Sequence, residues 1–177
     1  MKKILVEFKA RHGDLESARI RLREMNAKYI GAFRQVDTYF LVGGRRLKLR
    51  EVENRDYAQL VYYVRENIKG PKVSRVTIAR TPDPDSLKDI LSMVLGVKVV
   101  VDKVREIYRY NGVQIHLDVV KGLGTFIEME MEVESSKVEE GRAFLKEFMR
   151  KLGVDENNLI KGSYSDLLLN LNKRCFP

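Results

Sequence analysis

The sequence lacks the features that define several common protein classes. It has one cysteine, Cys175, near its C-terminal end, which excludes a disulfide framework and a metal site built from cysteines. No apolar run approaches membrane-spanning length, and no repeat or low-complexity segment divides the chain. The first residues resemble a signal peptide only briefly, because Glu7 and Lys9 interrupt the pattern after three apolar residues. We therefore expect a cytoplasmic globular protein with no membrane partner.

The length and charge of the chain set further bounds. At 177 residues it has room for one domain with a substantial core, which we place at 1–171, followed by a C-terminal tail at 172–177. The net charge of +8 is compatible with polyanionic partners, and it is equally compatible with an ordinary basic surface. The sequence does not indicate an oligomeric state.

The segment 126–134 has the most unusual pattern in the chain. Glu128, Glu130 and Glu132 alternate with the apolar residues Ile127 and Met129, which predicts a strand with one apolar face and one acidic face. Three successive carboxylates on one face repel one another unless cations or basic side chains lie opposite them. The acidic strand therefore requires a positively charged partner.

The remaining pattern predicts mostly strands joined by turns of hairpin length. The dipeptide Asn111-Gly112 is the strongest hairpin signal, and the apolar stripes of three helices are available to cover a sheet. The predicted strands are 2–11, 32–42, 45–51, 58–65, 72–80, 97–110, 113–120 and 126–134, and the predicted helices are 14–27, 83–95, 138–152 and 164–171. In helix 83–95 we expect Leu87, Ile90, Leu91 and Val94 to be buried. The fold class is α+β with an antiparallel meander.

Two architectures are compatible with the charged faces of these strands. They could form one flat, solvated face of an open sheet, which the residues alone favour. Alternatively, the sheet could close into a barrel whose interior is lined by both signs of charge. Such an interior would hold a polyanion beside basic residues and divalent cations beside carboxylates.

Six short motifs, in order along the chain, carry a resemblance to a known family. They are Glu7 with Lys9; Gln35, Asp37, Tyr39 and Phe40; Leu47-Lys48-Leu49-Arg50; Lys103 with Arg105; Leu117-Asp118 followed by Leu123-Gly124, Phe126-Ile127-Glu128 and Glu130; and Ser163-Tyr164 with Asp166-Leu167-Leu168. In this order they resemble the CYTH superfamily, the triphosphate tunnel metalloenzymes, which includes class IV adenylate cyclases and thiamine triphosphatases. The resemblance implies an eight-stranded antiparallel β-barrel, the triphosphate tunnel, with helices packed on its outside.

The chain departs from the family pattern at three places. Leu5 stands where the family has its first glutamate, and Lys48 replaces the first arginine of an arginine pair, so a point charge replaces a bidentate fork. The lysine that the family has after the "T-Y" of its fourth strand is absent, since this stretch is Val61-Tyr62-Tyr63, although Arg65 follows two residues later on the same face. These changes keep the fold and leave the reaction open.

The chemistry of a triphosphate predicts which side chains would form the site. Hard cations such as Mg²⁺ or Mn²⁺ take oxygen ligands, so the expected metal ligands are Glu7, Asp118, Glu128 and Glu130. The expected triphosphate-binding residues are Lys9, Lys48, Arg50, Arg65, Lys103 and Arg105, and the expected catalytic residues are Asp118, Lys103 and Arg105. We place Glu132 at the rim. For Asp37 a metal-binding role and a structural hydrogen bond are both open, and we expect His116 to form a hydrogen bond rather than to act in catalysis.

Three functions remain after this comparison. The first is metal-dependent hydrolysis of thiamine triphosphate, inorganic triphosphate or a nucleoside triphosphate. The second is an adenylate cyclase of the class IV type, which makes cyclic AMP and pyrophosphate from ATP. The third is a non-catalytic module that binds polyanions, which the missing glutamate at Leu5 favours. Binding of nucleic acid is disfavoured, because aromatic stacking stripes are absent and the acidic strand would repel phosphates.

Overall fold

Eight antiparallel strands close into a barrel in the computed structural model, which describes residues 1–175. The order of strands around the barrel is β1-β5-β4-β3-β2-β6-β7-β8, and β1 closes the ring by pairing with β8. The barrel implied by the family resemblance is confirmed, and the flat open sheet is wrong. Because successive side chains in a strand point to opposite faces, each strand contributes one row to the barrel interior and one row to its exterior.

The strands and helices agree closely with the sequence pattern. The strands are β1 Lys2–Arg11, β2 Lys28–Phe40, β3 Arg46–Val52, β4 Ala58–Arg65, β5 Lys72–Thr81, β6 Val97–Tyr110, β7 Val113–Val120 and β8 Gly124–Glu132. The α-helices are α1 Leu15–Glu24, α2 Pro84–Leu95, α3 Val138–Lys151 and α4 Tyr164–Cys175. Asp14 and Asp83 cap the first two helices by accepting backbone N–H hydrogen bonds.

Two elements extend four residues beyond their predicted bounds. Strand β2 begins four residues earlier than predicted, since the segment that starts at Lys28 pairs with the long β6 as far as Arg109. A β-bulge interrupts this pairing at Gly31, whose φ of 148° favours glycine. Helix α4 continues through four residues of the predicted tail, to Cys175. The rest of that tail, 176–177, lies outside the described residues.

The main hydrophobic core lies on the outside of the barrel, between β1, β7 and β8 and the helices α1 and α3. Phe8, Ile115 and Met129 are fully buried there. Leu22 of α1 and Leu145 of α3 cover them. Because this layer holds the backs of β1 and β8, it fixes the strands that carry the acidic residues on their other face.

Helix α2 buries a narrower stripe than predicted. Its leucines at four-residue spacing are only partly buried, where they pack against Phe40, Leu49 and Ala58. Ile90 and Val94 are 52% and 74% exposed, so their predicted burial is wrong. The physical reason is that each lies one residue before a packed leucine, about 100° around the helix. Only one sheet layer faces α2, so the flank of the helix remains in solvent.

Candidate functional site

The barrel encloses a cavity whose wall is densely charged. All six cations predicted to bind triphosphate line it: Lys9, Lys48, Arg50, Arg65, Lys103 and Arg105. The carboxylates of Glu7, Asp37, Glu128 and Glu130 share the same wall. Glu132 is exposed at the end of β8, in agreement with its predicted place at the rim. Closure of the barrel therefore brings together side chains from strands far apart in sequence.

Asp37 is the centre of the first charge cluster. Its carboxylate accepts hydrogen bonds from Lys48 Nζ at 2.9 Å and Lys103 Nζ at 2.9 Å. Arg50 donates two more, from Nε at 2.7 Å and from Nη2 at 2.9 Å. Burial alone would raise the pKa of Asp37, but these three cations together hold it well below its usual range. Asp37 is therefore ionised, and it holds three cations of the cavity wall in place.

The two lysines of this cluster carry more positive charge than one carboxylate neutralises. Burial and the nearby guanidinium of Arg50 lower the pKa of Lys48 to about 8. Burial lowers the pKa of Lys103 to about 7, against the opposing effect of Asp37. A shift in this direction means that the folded protein disfavours the charged form. The cluster is therefore short of negative charge, and a bound anion would supply it.

Arg105 is held by a second carboxylate that lies behind it. Its Nε and Nη2 donate to the two oxygens of Asp118, both at 2.7 Å, in the bidentate geometry that fixes a guanidinium plane. The hydroxyl of Tyr164 donates to Asp118 as well, at 2.6 Å. Asp118 is fully buried and is not among the side chains that line the cavity. Its oxygens are engaged in positioning Arg105.

Arg65 approaches the cavity from β4 with only part of its hydrogen-bonding capacity used. Nη1 donates to Glu7 Oε1 at 2.8 Å. Its Nε and Nη2 are buried and have no hydrogen-bond partner in the part of the chain that the structure describes. Unpaired buried donors are rare in proteins because they lose their hydration without compensation. Two donors of this guanidinium are thus available to an anion in the cavity.

The acidic face of β8 forms a compact group with its neighbour β7. Ligand atoms of His116, Glu128 and Glu130 all lie within 4.8 Å of one another. Glu128 forms ion pairs with Lys9 and, at 3.0 Å, with Arg105. Burial, together with the charge of Glu128, raises the pKa of Glu130 to about 7. This concentration of buried carboxylate oxygens fits a hard divalent cation.

His116 is fully enclosed beside these carboxylates. It is 1% exposed, and it lies opposite Glu128 in the pairing of β7 with β8. Burial and the neighbouring Arg105 lower the pKa of His116 well below its usual value, so the ring is neutral at pH 7. One nitrogen, Nε2, lies 2.9 Å from the side-chain nitrogen of Gln114. The hydrogen bond expected for His116 is therefore present on one side of the ring only.

Helix α4 covers one end of the cavity. Tyr164 packs edge-on against Phe126, with ring centroids 4.9 Å apart, and Lys9 Nζ lies 3.8 Å from the centre of the Tyr164 ring. Lys72 donates to the carbonyl oxygens of Ile160 and Lys161 just before the helix, at 2.8 Å and 3.0 Å. The Ser163-Tyr164 motif pointed to Tyr164 but not to its contact with Asp118. No sequence signal distinguished the fully buried Lys72 from a surface lysine.

One sector of the cavity wall is apolar. Leu5, Val61, Val76 and Ile78 line it on β1, β4 and β5, and they belong to one cluster that also contains Tyr63. Val61 and Ile78 lie directly opposite each other in the pairing of β4 with β5. Leu5, which stands where the family has a glutamate, is therefore part of a continuous apolar surface beside the charged one.

A closed antiparallel β-barrel with cations and carboxylates on its inner wall defines a class of anion-binding tunnel proteins. The family model described as the CYTH domain matches residues 3–164, and the chain belongs to this family. None of the helices within residues 1–175 is long and apolar enough to cross a membrane.

Individual relatives agree with this assignment. A protein of Methanocaldococcus jannaschii, whose name proposes adenylate cyclase activity, is 29% identical over 93% of this chain and 98% of its own length. The structure of the PH1012 protein of Pyrococcus horikoshii is 25% identical with a TM-score of 0.81, covering 92% of this chain and 98% of its own. A Hippeastrum protein described as having a dominant triphosphatase activity has a TM-score of 0.61 at 16% identity, with 94% of each chain covered, which shows the shared fold alone.

Proposed function

We propose that this protein binds a triphosphate inside the barrel together with a divalent cation and hydrolyses it. The observation that carries the proposal is the convergence of all six predicted phosphate-binding cations on one enclosed cavity that also contains a carboxylate group. A triphosphate carries about four negative charges, which need both basic side chains and a metal ion to leave water. The cavity contains the basic side chains, and we propose that its carboxylates bind the metal ion.

The basic residues divide into a fixed set and an adaptable set. Arg105 is held by Asp118 and Tyr164, and Arg50 by Asp37, so their guanidinium planes are oriented before substrate arrives. Arg65 has two unused donors, which we propose bind phosphate oxygens. Phosphoryl transfer depends mainly on positioning and charge neutralisation. Preorganised guanidinium groups provide both, because they need not reorient when charge develops on the phosphate.

Glu128 and Glu130 would hold the metal ion, with Glu7 opposite Glu130 in the pairing of β1 with β8. When bound, Mg²⁺ or Mn²⁺ would neutralise phosphate oxygens and increase the acidity of a bound water. Asp118 was expected among these ligands. Since both of its oxygens are engaged by Arg105 and Tyr164, we propose that Asp118 acts by positioning Arg105.

The apolar sector of the wall favours a triphosphate with an organic group. Inorganic triphosphate offers nothing that would pack on Leu5, Val61, Val76 and Ile78, whereas a nucleoside or another organic group buries apolar surface there. An adenylate cyclase of the class IV type is the second candidate, because the name of the relative from Methanocaldococcus jannaschii proposes adenylate cyclase activity. Binding without catalysis is the third, because Leu5 removes a carboxylate from the wall.

One panel of assays separates these functions. The purified protein is incubated with ATP, thiamine triphosphate or inorganic triphosphate, each with Mg²⁺ and with Mn²⁺, and the products are resolved as phosphate, pyrophosphate and cyclic AMP. Release of terminal phosphate supports the hydrolase, and pyrophosphate with cyclic AMP selects the cyclase. Metal-dependent binding without turnover selects the binding module. If no triphosphate binds under any condition, the tunnel is not a triphosphate site.

Two variants test the site itself, against a surface control. Arg50→Ala and Glu130→Gln should each weaken metal-dependent triphosphate binding about tenfold or more, since each removes a charged contact. The control is Arg34→Ala, because Arg34 lies on the outward face of β2 and pairs with Asp102 there. Binding is measured by calorimetry at constant ionic strength. Equal affinity in all three variants would contradict the proposed site.

A further inference from the structure

His116 has an unexplained nitrogen atom beside the carboxylates of β8. Its Nδ1 is buried and has no hydrogen-bond partner within residues 1–175, and the nearest carboxylate oxygen there, Glu128 Oε1, is 3.9 Å away. That distance is too long for a hydrogen bond. A buried polar atom without a partner is unfavourable, and in native proteins it often marks a place where an ion or ligand binds.

The position of this nitrogen suits a metal ligand. Nδ1 lies 3.9 Å from Glu128 Oε1, and the His116 side chain belongs to the group in which His116, Glu128 and Glu130 each offer a ligand atom within 4.8 Å of the others. All three side chains come from neighbouring positions of the β7–β8 pair, where His116 faces Glu128 and Gln114 faces Glu130. Small side-chain rotations bring such donors to one cation, and the paired strands restrict larger movements.

We propose that His116 is a nitrogen ligand, through Nδ1, of the divalent cation bound by Glu128 and Glu130. This inference rests on the proposed function, because it concerns the metal of the same site. An imidazole ligand favours a transition metal such as Mn²⁺ over Mg²⁺, which prefers oxygen ligands and retains its water. The site thereby selects Mn²⁺.

Gln114 provides the partner that a metal-bound imidazole needs. Coordination through Nδ1 places the ring proton on Nε2, and a ligating histidine commonly donates that proton to a nearby acceptor. The side-chain amide of Gln114 lies 2.9 Å from Nε2 and also donates to Glu130 Oε1 at 3.1 Å. Rotation of the amide by 180° presents its oxygen to Nε2–H. The same rotation ends the hydrogen bond to Glu130 and frees that oxygen for the metal.

Strand β1 offers few free ligand atoms to a cation at β8, so a ligand from β7 would complete the site. On the other side of β8, strand β1 offers Glu7, which pairs with Arg65, and Leu5, which has no ligand atom. His116 adds a third donor next to Glu128 and Glu130 without adding negative charge. The cation therefore has a three-residue set on adjacent strands, and triphosphate oxygens and water can complete its coordination.

Pulsed electron paramagnetic resonance of bound Mn²⁺ tests this assignment directly. A directly bound imidazole gives a ¹⁴N modulation of the electron spin echo, whereas carboxylate, phosphate and water give none. The sequence has only two histidines, His12 and His116, so His12→Gln is the matched control for His116→Gln. We expect the ¹⁴N signal in the parent and in His12→Gln and its loss in His116→Gln. The affinity for Mn²⁺ should fall at least about tenfold in His116→Gln, and the affinity for Mg²⁺ should change much less.

Isotope labelling provides the same test without a substitution, in case His116→Gln fails to fold. In protein grown with ¹⁵N-histidine the modulation should shift to the ¹⁵N frequencies. If Mn²⁺ strengthens triphosphate binding but no histidine coupling is seen, or if the coupling persists in His116→Gln, the assignment of His116 is overturned and the proposed function stands. If neither Mn²⁺ nor Mg²⁺ strengthens triphosphate binding, the metal-dependent function itself fails.

Discussion

Asp37 shows how a single buried carboxylate organises the cavity wall. It is 1% exposed and accepts hydrogen bonds from Lys48, Arg50 and Lys103. Buried charges are stable only when they are paired. Asp37 therefore keeps three cations close together that would otherwise repel one another, and it does so before any phosphate is present.

Replacement of Asp37 by Asn should destabilise the free protein by about 3–5 kcal/mol, because three buried cations lose their counter-charge. Added inorganic triphosphate should stabilise this variant more than it stabilises the parent, since the anion supplies the missing charge. Urea unfolding with and without triphosphate measures both effects. Asp102→Asn is the control, because Asp102 pairs with the more exposed Arg34 and its loss should cost less than about 1 kcal/mol. Equal losses in the two variants would contradict this role.

Lys103 makes the stability of the free protein depend on pH. Its pKa is about 7 in the folded protein, against 10.5 for an ordinary lysine. Between these two values the unfolded chain binds more protons than the folded protein, so stability rises as the pH rises. Lys48 and Lys72, whose pKa values are lowered to about 8, change stability in the same direction. Below about pH 7 Lys103 is charged in the folded protein, so the full cost of burying its charge reduces the stability there.

Urea unfolding at pH 7, 8 and 9 in the absence of phosphate tests this dependence. We expect the parent to gain stability over this range, and Lys103→Met to lose up to about 2 kcal/mol of that gain. Lys88→Met should retain the full gain, because the pKa of Lys88 is raised, not lowered, by its hydrogen bond with Glu51. An identical pH dependence in Lys103→Met and the parent would show that Lys103 does not titrate in this window.

At the scale of elements, helix α2 shows that an apolar sequence need not be a buried one. Leu87, Leu91 and Leu95 pack on the barrel, while Met93 and Val94 are 80% and 74% exposed. The apolar surface of the helix is wider than the sheet surface that faces it. Its flank therefore contributes little to the stability of the chain.

A pair of alanine substitutions in α2 measures this difference. Leu91→Ala should cost about 2 kcal/mol, since it removes part of the contact with Phe40 and Leu49. Val94→Ala should change stability by less than about 0.5 kcal/mol, because an exposed side chain has little packing to lose. Both variants place alanine in the same helix, and the difference in helix propensity between leucine or valine and alanine is within about 0.7 kcal/mol, so thermal unfolding compares mainly packing. A similar loss in both would indicate that the outer flank is covered in solution.

At the scale of the whole molecule, closure of the barrel decides what the charges do. The pairing of β1 with β8 places Glu7 opposite Glu130 and Lys9 opposite Glu128, more than one hundred residues apart in sequence. Arg65 reaches Glu7 across the cavity wall from β4. In an open sheet these groups would be hydrated and weakly coupled. Inside the barrel they are desolvated, which strengthens each interaction and makes each unpaired group costly.

The alternation of residues in the strands determined much of this protein before any tertiary contact was known. A period of two separates the acidic face of β8 from its apolar face, and the same rule assigns Lys48, Arg50, Lys103 and Arg105 to one side of their strands. Strand and helix positions follow from local patterns of this kind. All six predicted phosphate-binding cations accordingly line the cavity.

Only the tertiary structure decided which of these charges face water and which pair with one another. Periodicity does not distinguish a flat sheet from a barrel, because both expose one row of each strand, and strand closure depends on pairing between distant segments. The engagement of Asp118 by Arg105 and Tyr164, the three cations around Asp37, and the unpartnered nitrogen of His116 are results of that closure. The sequence determined which residues share a face, and the closed barrel determined their partners, because burial makes pairing obligatory.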